Sequence, residues 1–443
     1  MNTTEILNKL GITQLNEMQE QTISAIANGG NDVVVLSPTG TGKTLAYLLP
    51  LVDRMLSNGI QDTSRLSLAV VVPTRELALQ SLQVFKSMGT SLRAMALYGG
   101  RPTMDEHIKL RAVMPHVVFA TPGRLNDHIA KDNISVADIQ TLVIDEFDKC
   151  LEMGFQNEMN VLLGSLVELK QRILLSATHS EGIPYFVRMS HTKTVDFRQE
   201  EQQTSSRLDV YKVESQTKDK LPALSSLLLS FGQQSTVVFL NHRDAVERTA
   251  QYLMQQGFVV SLMHGGLEQR QREDALYKFA NGSATVLVAT DLASRGLDIP
   301  DIKNIVHYHL PETSSNYIHR VGRTARWNST GRSFFLLNPE EDIPEYVEGE
   351  VKDYIPAQTN TTPPQPKMVT LYIGKGKKDK LSKGDIVGFL CKIGGLQSSE
   401  IGIITVKERY TYVAISLQRL RQVLVKTKGQ KIKGMKTIVE EVE

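Results

Sequence analysis

The sequence predicts an α/β protein: two tandem parallel-sheet domains followed by a small α+β module. Three observations carry this reading. Short β-branched runs alternate with longer amphipathic stretches. Nearly continuous apolar strands spaced by helices need cover on both faces, which is the condition of a parallel sheet. The runs form two sets, divided by the polar stretch QEEQQTSSR (199–207), which suits a hinge. Beyond them the charge changes sign. Residues 369–443 hold 15 Lys+Arg against 7 Asp+Glu, a balance of +8, and residues 1–368 hold 35 against 41, a balance of −6. The expected division is 1–203, 204–354, a linker at 355–368 and a basic module at 369–443, each domain being long enough to bury a core.

The first set of strands is expected at Asp32–Ser37, Leu68–Pro73, Val117–Ala120, Leu142–Asp145 and Ile173–Ser176, and the second at Thr236–Leu240, Val259–His264, Thr285–Thr290 and Ile305–His309. The chain of 443 residues is 41% apolar and 22% charged, ordinary for a soluble globular protein and far from collagen-like or disordered compositions. Its longest uncharged stretch, Leu221–Asn241, is broken by Pro222 and Gly232 and reads as helix, loop and strand instead of a bilayer span. The first residues lack a basic start and apolar block, and Cys150 and Cys391 lie far apart without metal-ligand spacing. A reducing cytoplasm is the expected location.

Two segments carry chemistry. Ser37-Pro38-Thr39-Gly40-Thr41-Gly42-Lys43-Thr44 follows an apolar strand and precedes a helical run. Such a glycine-rich turn lets backbone N–H groups surround phosphate oxygens at a helix N-terminus. Lys43 would reach the β/γ-phosphates of ATP, and the Thr44 hydroxyl would ligate Mg2+. The second segment, LVIDEFD, sets Asp145 and Glu146 at the end of a buried strand. Asp145 would hold the magnesium through its water shell, and Glu146 would orient and polarise the attacking water.

With these in place the chain resembles the DEAD-box ATP-dependent RNA helicases. The resemblance spans Gly11–Arg326 through eleven segments in order: GITQLNEMQ, SPTGTGKT, PTREL, Gly99-Gly100, TPGR, DEFD, SAT, VVFLN, HGGLEQRQR, ATDLASRGLD and YIHRVGRTAR. It implies two RecA-like (P-loop NTPase) domains that close on ATP and single-stranded RNA, separate strands locally, and release RNA on hydrolysis. Carried over by position, Gln19 resembles the adenine-reading side chain and Asp298 the ribose contact. Arg323 and Arg326 are similar to the arginines that the second domain supplies to the γ-phosphate. Asp148, Ser176, Thr178 and His319 resemble the coupling group. Arg75, Gly100, Thr121, Gly123, Arg124, Arg272 and Thr290 match RNA-backbone positions. Three departures stand out: Phe147 replaces the usual Ala, Ile12 and Glu17 replace the usual aromatic and Pro, and no aromatic precedes Gln19. They imply a ring packed behind the strand and weaker nucleotide affinity.

In the basic tail, strands are expected at Val369–Ile373, Ile401–Val406, Tyr410–Ile415 and Thr437–Val442, with helices at Leu381–Lys392 and Leu417–Lys428. The order β-α-β-β-α-β is that of an RRM-like module. Tyr372 falls on the first reading strand of that fold, and Tyr410 and Tyr412 share a face where bases would stack. Lysines including Lys377 and Lys378 offer phosphate contacts. The tail resembles the C-terminal domain of DbpA-like bacterial helicases, which implies tethering to structured RNA, with ribosomal RNA and ribosome assembly favoured. No protein partner is implied, and a monomer is expected. A DNA-directed motor on the same fold and a non-hydrolysing ATP-gated RNA clamp are the alternatives at this point. Gln19, SAT and HRVGRTAR favour RNA, and intact Lys43, Glu146, Arg323 and Arg326 favour hydrolysis.

Overall fold

A computed structural model describes the chain apart from residues 1–2, 28–29, 39, 61–62, 64, 101–102, 178–182, 198–207, 292–301, 325–330, 358–361 and 443. Thr39, Thr178, Asp298, Arg326 and the expected hinge therefore lie outside the described residues. The rest divides into two compact units, one before and one after 198–207.

The first unit is built on seven strands: β1 Val33–Leu36, β2 Leu68–Val71, β3 Ala94–Leu97, β4 Val117–Ala120, β5 Thr141–Ile144, β6 Gln171–Ser176 and β7 Lys193–Asp196. They lie in the order β3-β4-β2-β5-β6-β1-β7, and every pairing is parallel. Alternation along each strand fills two cores. Val33 and Val35 join Leu68 and Val70 under the helices Glu17–Ala27, Lys43–Ser57 and Arg75–Ser87, while Val34 and Leu36 join Ala69 and Val71 under Gln156–Ser165. A sheet apolar on both faces is what selected the β-branched runs. Phe147 is 2% exposed and packs in the second of these cores, behind the strand that leads to Asp145.

The second unit opens with another seven-stranded sheet: β8 Leu208–Glu214, β9 Thr236–Leu240, β10 Val260–Met263, β11 Val286–Thr290, β12 Asn304–His307, β13 Gly331–Leu337 and β14 Val351–Asp353. Its order is β10-β11-β9-β12-β13-β8-β14, again all parallel. The same unit carries a four-stranded antiparallel sheet, ordered β16-β17-β15-β20, from β15 Met368–Ile373, β16 Ile401–Val406, β17 Thr411–Ser416 and β20 Val439–Glu441. Helices Lys383–Lys392 and Leu420–Thr427 cover one face over Leu371, Ile373, Val413 and Ile415. A two-residue hairpin, β18 Lys431–Ile432 with β19 Met435–Lys436, precedes the last strand.

The tandem sheets and the β-α-β-β-α-β module agree with the sequence reading. Five strands of the parallel sheets, and the β18–β19 hairpin, do not announce themselves in the sequence. β3 alternates small and large residues, β7 and β14 are short edge strands, and β8 and β13 mix polar residues among their apolar ones. β7 buries one side chain and β14 none, so these edge strands impose little hydrophobic pattern.

Candidate active site and nucleic-acid surface

In a parallel sheet every loop after a strand emerges at the same edge, and ligands bind there. The strand order sorts this edge of the first unit into halves. The loops after β5, β6 and β1 adjoin one another, as do those after β3, β4 and β2.

The first half gathers the phosphate loop and the acids. Gly40 and Gly42 have φ of +84° and +83°, which non-glycine residues rarely adopt. Lys43 is buried, and its Nζ donates to the carbonyls of Ser37 (2.5 Å) and Pro38 (2.8 Å), which sets the ammonium at the centre of the loop. Ser37 N–H donates to Ser176 O at 3.0 Å, tying this loop to the SAT segment after β6. Gln19 is 4% exposed, and its Nε2 lies 3.5 Å from Gly42 O. Asn16 and Gln19 bond reciprocally, Asn16 Oδ1 accepting from Gln19 N–H (2.8 Å) and Gln19 Oε1 from Asn16 N–H (3.1 Å), while Asn16 Nδ2 donates to Thr41 O (3.1 Å). The residue expected to read adenine is thereby locked to the phosphate loop.

Asp145 and Glu146 follow β5 directly. Burial, and then the neighbouring Glu146 carboxylate, push the Asp145 carboxyl up to about 7 against the pull of Lys43. Glu146 has φ +51°, a left-handed conformation uncommon outside glycine. Its Oε2 is buried without a hydrogen-bond partner. Asp145 Oδ1 accepts from Glu146 N–H at 3.0 Å. The fully buried Tyr47 lies beside both Asp145 and Thr44. Two crowded carboxylates, one with an orphaned oxygen, beside a threonine hydroxyl form a donor set that suits a hard divalent cation completing its shell with water and phosphate. Asp148 is buried, its Oδ1 accepting from Lys149 N–H at 3.0 Å.

The second half gathers Arg75, Gly100, Thr121, Gly123 and Arg124. Arg75 pairs with Glu76 at 2.9 Å and lies against Gly100, where a Cβ would meet its Nη1 at 3.4 Å. Gly100 has φ +84°. Thr121 caps the helix Pro122–Ala130, with its N–H bonded to Leu97 O at 3.0 Å. The Arg124 guanidinium is spanned by Tyr98 O, Thr103 and Glu106.

In the second unit, Thr290 ends β11 and is buried, and Arg272 donates to Gly265 O at 2.8 Å. His319 and Arg323 are 5% and 6% exposed, at and just beyond the helix Ser314–Val321. Arg320, at 1% exposed, organises this edge. It pairs with both Asp291 oxygens (2.6 and 2.7 Å) and donates to Asn241 Oδ1 (2.9 Å) and His309 O (2.7 Å). The sequence reading missed Arg320, Asp291, Asn241 and Asn16. Asn241 and Asp291 are each the first residue past a buried strand, the position where a parallel sheet delivers functional groups. That was the available signal.

The module's outer sheet face is occupied. The helix Gln269–Ala280 of the second parallel-sheet domain lies across it. Tyr410 donates to Glu273 and Tyr412 to Asp274. Tyr277 packs on Tyr412 at 4.6 Å between centroids, Arg270 lies over Tyr372 at 4.8 Å, and Thr370 bonds Ser283 and Asn281. Tyr412 is 1% exposed. The tyrosines expected to stack bases are spent on this contact, because their hydroxyls find carboxylates and their rings another ring. Lys377 and Lys378 remain exposed.

Comparison with known proteins matches the family described as DEAD/DEAH box helicase at residues 16–184, Helicase conserved C-terminal domain at 219–328 and DbpA RNA binding domain at 370–441. The ATP-dependent RNA helicase DbpA of Escherichia coli is 33% identical over 97% of this chain and 94% of its own length. DbpA of Bacillus subtilis is 30% identical over 97% and 95%. The fold is shared with a solved structure of Mss116p bound to ssRNA and AMP-PNP (TM-score 0.71, 23% identity, covering 80% of this chain and 77% of that one). The chain belongs to the DEAD-box ATP-dependent RNA helicases. Its module and its near full-length match set it in their DbpA-like branch. It is an RNA-dependent, ATP-driven remodeller of RNA. Among the described residues no helix is long and apolar enough to cross a membrane.

Proposed function

We propose that this helicase acts on structured RNA, with ribosomal RNA during ribosome assembly as its class of target. In this reading ATP and RNA draw the two parallel-sheet domains together and hydrolysis lets the RNA go. The observation that carries it is the division of labour: the phosphate loop and paired acids sit at one sheet edge, and Arg323 sits in the other unit. An arginine finger supplies about 10³–10⁵ in phosphoryl-transfer rate, or about 4–7 kcal/mol of barrier. Hydrolysis is then slow until RNA, a ligand preferring the closed state, assembles the site.

Within this reading Lys43 holds the β/γ-phosphates, Gln19 reads the adenine, and Glu146 orients the attacking water through its unpartnered oxygen. Thr44 and Asp145 would hold Mg2+, which supplies charge neutralisation at the phosphates. Arg75, Gly100, Thr121, Gly123, Arg124, Arg272 and Thr290 face the RNA backbone. The outer Lys377 and Lys378 carry the module's phosphate contacts, since the tyrosine face is covered. A cytoplasmic monomer fits this work.

Glu146→Gln is the direct test. It is expected to bind ATP and RNA and turn over at least about a hundredfold more slowly. Near-normal turnover would remove Glu146 from the chemistry. Crosslinking to cellular RNA with mapping of the bound sites tests the target class, and a distribution without ribosomal RNA enrichment would refute it.

A further inference from the structure

The first unit contains a buried acid that the nucleotide chemistry does not use. Glu106 lies in the helix Thr103–Val113, and its side chain is 3% exposed. Its Oε2 is 3.1 Å from Nε2 of His128, whose side chain is fully buried, and 3.4 Å from Nε of Arg124. The Asn133 amide donates to His128 Nδ1 at 3.1 Å. That bond makes Nδ1 an acceptor and leaves the ring proton on Nε2, facing the acid. Glu106 Oε1 is buried and accepts nothing. A buried carboxylate held this sparingly is costly, so what it secures matters.

It secures Arg124. That guanidinium donates from Nε to Tyr98 O at 3.2 Å and from Nη1 to Thr103 Oγ1 at 2.5 Å. Tyr98 and Thr103 flank Gly99-Gly100 on either side. One side chain from the Thr121–Arg124 turn thus braces both ends of the glycine loop. Glu106, with Asp127 at 3.6 Å from Nη1, already balances the guanidinium charge and leaves it a weak ligand for phosphate.

We propose that Glu106, held by His128, is a positioning residue that fixes Arg124 as a brace across the glycine loop, so that this loop and the Thr121–Arg124 turn meet the RNA backbone preset. The inference rests on the RNA-side reading above. It deepens that reading by giving Arg124 a bracing role in place of a direct phosphate contact.

The test uses the full chain and ATP hydrolysis titrated with an unstructured RNA, alongside thermal melting. Glu106→Gln is expected to raise the half-saturating RNA concentration about tenfold while kcat at saturating RNA and KM for ATP stay within about twofold, the signature of a misplaced positioning contact. Thr103→Val removes the far anchor without touching the buried pair, and is expected to act in the same direction. Arg124→Lys should weaken RNA by a similar factor and show no further loss when combined with Glu106→Gln, because the two act as one unit. Unchanged or tighter RNA binding in Glu106→Gln would overturn the proposal, tighter binding meaning that the acid competes with phosphate for Arg124. So would a parallel loss of kcat, ATP affinity and melting temperature, which marks a merely structural acid. If Glu106→Gln does not fold, an unaltered RNA titration in Thr103→Val overturns it. Failure of the unmutated chain to respond to RNA would instead refute the RNA-side reading itself.

Discussion

Asp145 bears the cost of being functional. Its carboxyl is raised to about 7 by burial and by Glu146. Between about pH 4 and pH 7 the folded chain keeps a proton that the unfolded chain releases, so stability falls as pH rises through that window. Asp145→Asn is expected to raise the melting temperature at pH 8 while lowering ATP hydrolysis at least about a hundredfold. Melts at pH 5 and pH 8 check the sign, since the gain should shrink at the lower pH. Gly42 offers a second case. A Cβ there would lie 2.5 Å from Gln19 Nε2, on a backbone at φ +83°. Gly42→Ala is expected to weaken binding of a fluorescent ATP analogue at least about tenfold, through strain and a displaced Gln19. The placement of Lys43, Gly42 and the acid pair was legible because each lies in a contiguous segment after an apolar strand. Arg320, Asp291 and Asn241 were not, because their meeting depends on which strands neighbour one another, and that is fixed by the whole sheet.

At the scale of elements, the helix Gln269–Ala280 has two duties. Arg272 reaches Gly265 O near one end, and Arg270, Glu273, Asp274 and Tyr277 meet the module. Burial and these carboxylates push both module tyrosines, Tyr410 and Tyr412, well above the usual phenol range, so they stay protonated donors. Reversing the charges with Glu273→Lys and Asp274→Lys is expected to loosen the module, seen as faster hydrogen exchange in β15 and β17. Lys377→Ala with Lys378→Ala should leave that exchange alone, lower RNA affinity about tenfold and reduce its salt slope by about two. The module's chain order, β-α-β-β-α-β, was readable from its alternation of strands and helices. That the helix Gln269–Ala280 would meet its tyrosines was not readable, because an aromatic sheet face looks the same in sequence whether a base or a helix covers it.

For the whole molecule, the proposed closure of the two parallel-sheet domains would make RNA the switch. Arg323→Ala is expected to abolish RNA stimulation of hydrolysis while ATP binding stays measurable, and full stimulation in that variant would contradict assembly of the site from two units. Removing residues 369–443 is expected to keep stimulation by generic RNA and erase preference for any one RNA, as competition between RNAs would report.

The covered tyrosine face also bears on how such a chain could be shortened in evolution. Loss of the tail would bare Tyr277 and strip Glu273 and Asp274 of their phenolic donors. A lineage that discards the tail would gain solubility by repolarising that helix as well, so the two changes should be inherited together.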